Sequence, residues 1–154
     1  MRLIVVKKNG FSLLELMVVV AIIAFLTMIS VPTFRKFLHK SKRSEAYMNL
    51  RAIYASEKAY WADNGKYSTV LSGKNGIGWK PEGAIIYTYG FPGSEGTNYF
   101  IGSLGAGSSA LSQASASSEK FVAIAAGDID GDGKLDVIGI DENNKITIIT
   151  NDLE

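Results

Sequence analysis

Four aspartates lie close together near the C-terminal end of this sequence, in the run DIDGDGKLD at residues 128–136. Carboxylates packed this closely repel one another unless a cation sits among them. Hard oxygen ligands favour calcium, and the two glycines allow a tight turn that directs alternate side chains inward. The run therefore predicts a calcium site. Its expected ligands are Asp128, Asp130, Asp132, Asp136 and the Lys134 carbonyl, with Asp141 as a further candidate.

The run is similar to the DxDxDG calcium loops of EF-hands and of extracellular β-propeller repeats. It departs from the EF-hand at the twelfth loop position, where Gly139 replaces a bidentate glutamate, and the residues that follow alternate like a strand. The expected setting is thus strand, loop, strand. A hairpin rich in aspartate and glycine, with Asx turns and no metal, is the alternative interpretation.

A second chemical feature is the lone acidic residue Glu15 in the apolar segment 11–31. The 21 residues of this segment would span about 31 Å as a helix, enough to cross a bilayer. An ordinary single-pass anchor or an uncleaved signal sequence would have the same composition. A secretory cleavage site would follow the apolar run, but Val31, Pro32 and Thr33 fit one poorly.

The residues KKNGFSLLEL at positions 7–16 resemble the type IV prepilin signature shared by type IV pilins and type II secretion pseudopilins. The shared features are a short basic leader, a glycine, an aromatic residue, a glutamate four residues later and an unbroken apolar helix. The resemblance implies that a prepilin peptidase removes residues 1–10 by cleaving between Gly10 and Phe11. It also implies methylation of the new amino group of Phe11.

The same resemblance implies a role for Glu15 in assembly. A carboxylate inside an apolar helix costs about 2–3 kcal/mol unless it is protonated or paired. In the family's assembly model, the amine of Phe11 on a neighbouring subunit neutralises it; a protonated and idle glutamate is the alternative. The implied partners are further copies in a helical filament, the pilus assembly machinery and the inner membrane. The implied final location is an extracellular filament on a bacterial surface.

Beyond the apolar segment, an amphipathic pattern continues and predicts one helix over residues 11–64. Pro32 removes a backbone amide, so a kink or loosened turn is expected there, in a segment that would also take part in assembly. Gly65 is the expected left-handed helix cap. The basic cluster between Arg35 and Arg43 could contact anionic lipid, nucleic acid or acidic subunit surfaces, or simply form a solvated helix face.

Residues 65–154 are predicted to form a small antiparallel sheet. Turn residues separate five expected strands, and the stretch 102–118, rich in serine, alanine and glycine, is expected to be a mobile surface loop. With the long helix packed on this head, the predicted fold class is α+β and pilin-like. The expected strands are 84–89, 97–102, 120–126, 135–140 and 145–150.

The residue counts, the missing catalytic motifs and the net charge argue against several classes of function. The chain has no cysteine and one histidine, and it lacks the motifs of hydrolases, phosphate-binding loops and zinc proteases, so we expect no enzyme activity. The net charge of +1 does not indicate wholesale nucleic-acid binding. The sequence thus predicts a pilin, with a pseudopilin or a membrane-tethered calcium-binding module as alternatives. It leaves open whether the filament serves adhesion, motility or DNA uptake.

Overall fold

A computed structural model of the chain describes residues 10–153. The predicted leader, residues 1–10, lies outside this range except for Gly10. The chain divides into two compact units, Met1–Phe37 and Leu38–Glu154, and the boundary between them falls inside the long helix. The second unit therefore contains the later half of the helix as well as the predicted head.

The helix, α1, spans Leu13–Asn64 and includes Pro32 without a break. It begins two residues later than predicted, because Ser12 caps its first turn with side-chain and backbone hydrogen bonds to Glu15. Its C-terminal end is as expected. Gly65 has a φ of 68° and donates its N–H to the Trp61 carbonyl at 2.8 Å, which is the left-handed cap that a side chain would disfavour.

The described part of the first unit, residues 10–37, is apolar helix from Leu13 onward and has no core of its own. Every residue from Gly10 to Phe37 is exposed, including Phe11 at 73% and Met28 at 76%. Among the residues that the structure describes, α1 is the one helix long and apolar enough to cross a membrane. Apolar surface of this extent is stable only against lipid or other protein.

The second unit is a six-stranded antiparallel sheet packed on one stripe of the helix. The strands are β1 (Thr88–Gly90), β2 (Tyr99–Phe100), β3 (Ser115–Ala116), β4 (Phe121–Gly127), β5 (Asp136–Asp141) and β6 (Ile146–Thr150). Their order is β2-β1-β4-β5-β6, and β3 pairs with the start of β4. The α+β architecture predicted from the sequence is confirmed.

The core forms where the helix stripe meets the sheet. Leu50 and Ile53 from the helix are fully buried with Tyr87, Phe121 and Ile138 from the head. The expected positions β4, β5 and β6 agree with the structure to within one residue, because their apolar runs are long enough to carry a clear pattern.

The first two predicted strands are much shorter than expected. Residues 84–87 are outside β1, since the N–H of Ile86 donates to the Glu45 carboxylate at 3.0 and 3.1 Å instead of to a neighbouring strand. Strand β2 retains two residues of the predicted 97–102. The Glu45 side chain from the helix therefore accepts the hydrogen bond that a neighbouring strand would otherwise accept. The local sequence pattern does not indicate this long-range contact.

The prediction of a mobile loop at 102–118 was wrong. This stretch contains a short 3₁₀ helix, Ser108–Leu111, and strand β3, and it buries Ala106, Leu111 and Ala114. The hydroxyl of Thr88 donates to the Ala106 carbonyl at 2.8 Å. Small side chains let this segment pack closely on the sheet, so a composition typical of linkers here forms part of the core.

Candidate functional sites in the N-terminal segment and the aspartate loop

The N-terminal residues that the sequence singled out form a compact hydrogen-bonded unit at the start of α1. The backbone N–H and the hydroxyl of Ser12 donate to Glu15 Oε2, at 2.9 and 2.8 Å. The N–H of Glu15 donates back to Ser12 Oγ at 3.2 Å. This reciprocal pattern is a capping box, and it satisfies two backbone donors that a helix start otherwise leaves unpaired.

The capping box changes how Glu15 is understood. The sequence presents it as an isolated carboxylate in apolar helix, whereas the structure supplies it with donors from its own chain. Both bonds end on Oε2, and within the described residues no bond to Oε1 is recorded. The carboxylate can therefore be held locally by Ser12 and still accept a hydrogen bond from another molecule.

Gly10 and Phe11 precede the helix, which begins at Leu13. Both are exposed, and a Cβ placed on Gly10 would meet no atom within 4 Å. The peptide bond between them is thus accessible and outside helical structure. Pro32 lies farther along, inside α1, where the Thr33 hydroxyl donates to the Ile29 carbonyl at 3.1 Å.

Four carboxylates come together at the aspartate loop between β4 and β5. One oxygen from each of Asp128, Asp130, Asp132 and Asp152 lies within 4.8 Å of the others. Calcium binds oxygen at 2.3–2.6 Å, so ligands on opposite sides of the ion stand about 4.6–5.2 Å apart. The spacing of this cluster therefore suits a calcium-sized cation.

Backbone hydrogen bonds arrange the loop. Asp128 accepts the N–H groups of Gly131 and Gly133 on its two oxygens, at 2.7 and 3.0 Å. Both glycines have positive φ, 86° and 92°, a conformation that few other residues adopt without strain. Asp130 and Asp132 instead form Asx turns, in which each accepts the N–H two residues onward, from Asp132 at 3.1 Å and from Lys134 at 2.8 Å. The loop thus holds its aspartates on one side by local geometry.

Asp152 joins this cluster from the segment after β6, and the sequence analysis missed it. It is 4% exposed, its Oδ2 accepts the N–H of Ile129 at 3.0 Å, and its Oδ1 is buried without a partner among the described residues. Burial raises its pKa, as do the three loop carboxylates, against the lowering effect of the Ile129 bond. A cation here would neutralise the repulsion and bond the unpaired oxygen.

A signal for Asp152 was present in the strand pattern. Strands β5 and β6 are antiparallel and adjacent, with Val137 opposite Thr150. This register brings the residues after Thr150 beside the loop that precedes β5. Pairing the two predicted strands would have placed Asp152 next to Asp128, although the sequence gives no direct indication that its side chain turns inward.

Two predicted ligands are engaged elsewhere. Asp136 is fully buried and accepts two hydrogen bonds from the Arg43 guanidinium, at 2.6 and 2.9 Å, and a third from the Tyr87 hydroxyl at 2.8 Å. It is the buried first residue of β5, and its Oδ1 also accepts the Asp152 N–H at 3.4 Å. Asp141 accepts the N–H groups of Asn143 and Lys145 and so closes the next turn. Neither joins the cluster of four.

The basic cluster after the apolar segment is likewise divided by the structure. Arg43 is buried in its ion pair with Asp136 and also donates to the Asn151 side chain. Lys42 donates to the Ile129 carbonyl at 2.6 Å, beside the aspartate loop. Arg35, Lys36 and Lys40 remain exposed. Two of the five cations therefore hold the head together and are not part of a solvated face.

Comparison with known proteins finds a family model that matches the N-terminal part of the chain, and several relatives. Residues 6–31 match the family model of the prokaryotic N-terminal methylation motif. The type IV major pilin protein PilA of Myxococcus xanthus (strain DK1622) is 43% identical over 83 residues, which are 54% of this chain and 36% of that protein. The fimbrial protein EcpC of Eikenella corrodens is 38% identical over 92 residues, covering 46% of this chain and 60% of that protein.

Relatives from secretion systems match at lower identity. The type II secretion system core protein G of Aeromonas hydrophila is 31% identical over 78 residues, covering 51% of this chain and 54% of that protein. The chain thus spans between about a third and three fifths of the length of these relatives. Methylation motif, apolar helix and antiparallel head agree with the resemblance found in the sequence, and the chain is similar to type IV pilins and type II secretion pseudopilins.

Proposed function

We propose that this protein is a structural subunit of a type IV pilus-like extracellular filament, held in the inner membrane by residues 11–31 before assembly. The observation that carries the proposal is the exposed apolar helix of the first unit, joined to the methylation motif at residues 6–31. A helix that is apolar on all sides needs lipid before assembly. It can exchange that lipid for copies of itself without any change in its surface.

Processing precedes assembly in this proposal. Prepilin peptidase cleaves the exposed bond between Gly10 and Phe11, and Phe11 becomes the methylated N-terminus of the mature subunit. Its amine then pairs with Glu15 of a neighbouring copy inside the filament. The Oε1 atom of Glu15, which Ser12 leaves unused, is the oxygen that would accept this bond.

The test is mass spectrometry of the mature protein together with an assembly assay. We expect a chain that begins with methylated Phe11, and filaments that disappear in Glu15→Ala while the protein still inserts in the membrane. Thr27→Ala is a matched control, because it removes a polar group from the same helix. Retained residues 1–10, with normal filaments from Glu15→Ala, would contradict the proposal and favour a membrane-tethered module.

A pseudopilin of a type II secretion system is the alternative member of the same family. The higher identity to a major pilin, 43% against 31% for a secretion core protein, favours a pilus subunit. Imaging a deletion strain separates the two. We expect it to lose long surface filaments, whereas a pseudopilin mutant would accumulate secreted proteins in the periplasm.

We further propose that the head binds calcium through Asp128, Asp130, Asp132 and Asp152, with the Lys134 carbonyl as an additional ligand. The observation in favour is the buried Asp152 carboxylate, which lies in a cluster with three other carboxylates and whose Oδ1 has no partner among the described residues. An unpaired buried carboxylate oxygen is costly, and a cation would remove that cost. With no cysteine in the chain, the ion would also fasten the segment after β6 to the loop.

Calorimetric titration of the detergent-solubilised chain with calcium chloride tests this site. We expect one ion per chain at an affinity in the range of extracellular modules, about 10⁻⁴–10⁻³ M or tighter. Asp152→Asn should weaken binding strongly, and Asp63→Asn, which alters an exposed aspartate at the end of α1, should not. Absence of binding heat in the wild-type chain would refute the calcium proposal and leave the filament proposal intact.

A further inference from the structure

The start of α1 lies two residues after the peptide bond that processing would cleave. Ser12 is the residue before the helix, and its carbonyl accepts the first helical hydrogen bond, from the N–H of Leu16 at 3.2 Å. Its side chain and backbone are engaged with Glu15 in the capping box. A capping residue has non-helical backbone angles, so a helix capped here leaves Gly10 and Phe11 outside.

We propose that Ser12 is a positioning residue for prepilin cleavage, acting by fixing the helix start so that the Gly10–Phe11 bond stays in non-helical chain. The inference rests on the proposed function, since it concerns the cleavage that the filament subunit undergoes. In that hydrolysis, water adds across the amide bond. The C–N bond breaks, Gly10 gains a carboxylate and Phe11 gains an amine. Ser12 contacts neither reacting atom.

Loss of the cap would let the helix extend toward the leader. Near a membrane, unpaired backbone N–H and C=O groups are costly, so an uncapped helix gains by forming another turn. In the sequence, the next residue of a type that caps helices well is Asn9. A helix capped there would begin at Gly10 and include the scissile bond, whose backbone a protease would first have to unwind.

Cleavage kinetics of the full-length precursor in membranes, with purified prepilin peptidase, test the inference. We expect Ser12→Ala to slow cleavage by about 2- to 30-fold, the range that corresponds to loss of one helix cap. Ser12→Thr keeps the hydroxyl and should restore most of the wild-type rate. The matched control is Thr27→Ala, which deletes a hydroxyl that donates to the Ile23 carbonyl within the same helix, and it should be cleaved normally.

The role of the hydrogen bonds can be separated from the role of charge. Glu15→Gln keeps an acceptor for Ser12 but removes the carboxylate, so we expect near-normal cleavage together with loss of filaments. Hydrogen exchange provides a structural readout: the amides of Phe11 and Ser12 should be more protected in uncleaved Ser12→Ala than in the wild-type precursor.

The outcomes distinguish this inference from the function on which it rests. If the wild-type precursor is not cleaved between Gly10 and Phe11, the proposed function fails. If the wild type is cleaved but Ser12→Ala is cleaved equally fast, or Thr27→Ala is slowed as much, the positioning role is refuted and the filament function stands. Unchanged exchange at Phe11 in Ser12→Ala would also refute it.

Discussion

Apolar side chains are placed in opposite ways in the two units. In the first unit every described residue is exposed, and large side chains such as Phe25 and Ile29 cover the helix on all sides. In the second unit, Leu50, Tyr87 and Ile138 are completely buried. The first unit thus depends on its surroundings, while the second maintains its own core. Substitutions should therefore alter insertion, cleavage or assembly in one, and folding in the other.

The polar interactions of the two units also differ, in how far apart in the sequence the interacting residues lie. At the helix start, Ser12 and Glu15 are three residues apart and interact through local geometry. In the head, Arg43 and Asp136 are 93 residues apart, and Asp152 reaches the loop from 23 residues away. A short motif is sufficient for the first region, whereas the second requires the complete fold.

The largest effect on the head should come from breaking its buried ion pair. We expect Arg43→Ala to lower the free energy of unfolding by about 3–5 kcal/mol, because it leaves the Asp136 carboxylate buried without its cation. Chemical denaturation of the detergent-solubilised chain, followed by fluorescence of buried Trp79, measures it. Arg51→Ala on the exposed side of the helix should change the value by less than about 0.5 kcal/mol. Equal losses of unfolding free energy in Arg43→Ala and Arg51→Ala would mean that the ion pair makes no specific contribution to stability.

One substitution made in both units compares them directly. Leu50→Ala creates a cavity in the core and should cost about 2–5 kcal/mol in the same denaturation assay. Leu26→Ala, in the exposed apolar helix, should leave unfolding of the head unchanged. If Leu26→Ala destabilised the head as much as Leu50→Ala, the independence of the two units would be disproved.

Removal of calcium tests whether the proposed site in the aspartate loop stabilises the head. At a calcium concentration one hundred times the dissociation constant, bound ion should add about 2.7 kcal/mol to the free energy of unfolding. A calcium chelator should therefore lower the melting temperature of the wild-type chain. Asp152→Asn should melt at the same temperature with and without the chelator, and Leu26→Ala should respond as the wild type does. A wild-type melting temperature that ignores chelation would argue against the site.

The smallest effect concerns Glu57, which is fully buried on the helix. Burial raises the pKa of this carboxyl to about 7, partly offset by the Ser68 N–H that donates to it at 3.1 Å. The folded state therefore favours the protonated form, and stability should fall as the pH rises from about 4.5 through 7, by about 1–2 kcal/mol. Glu57→Gln should flatten this dependence relative to wild type in melting curves between pH 5 and pH 8. Identical pH profiles would contradict the assignment.

These residues also show how far the sequence could lead. Helix α1, its cap at Gly65 and strands β4 to β6 follow from periodicity and turn residues, which act over a few positions. The partner of Asp136 could not be inferred, since it depends on which side of β5 faces the helix. Glu57 fitted the buried helix stripe, yet its raised pKa depends on packing by distant residues. The partner of Asp136 and the pKa of Glu57 both depend on contacts between residues far apart in the sequence. Local sequence patterns do not indicate such contacts.

The contacts around Asn151 have a practical consequence for work on this molecule. Its side chain accepts from Arg43, and its carbonyl accepts from the Lys134 ammonium at 2.6 Å. A stop codon introduced before this position would remove both acceptors along with Asp152, and the truncated product should be degraded in the cell. Reporter peptides or affinity tags are therefore better inserted at the exposed turn around Asn143, which leaves those anchors in place.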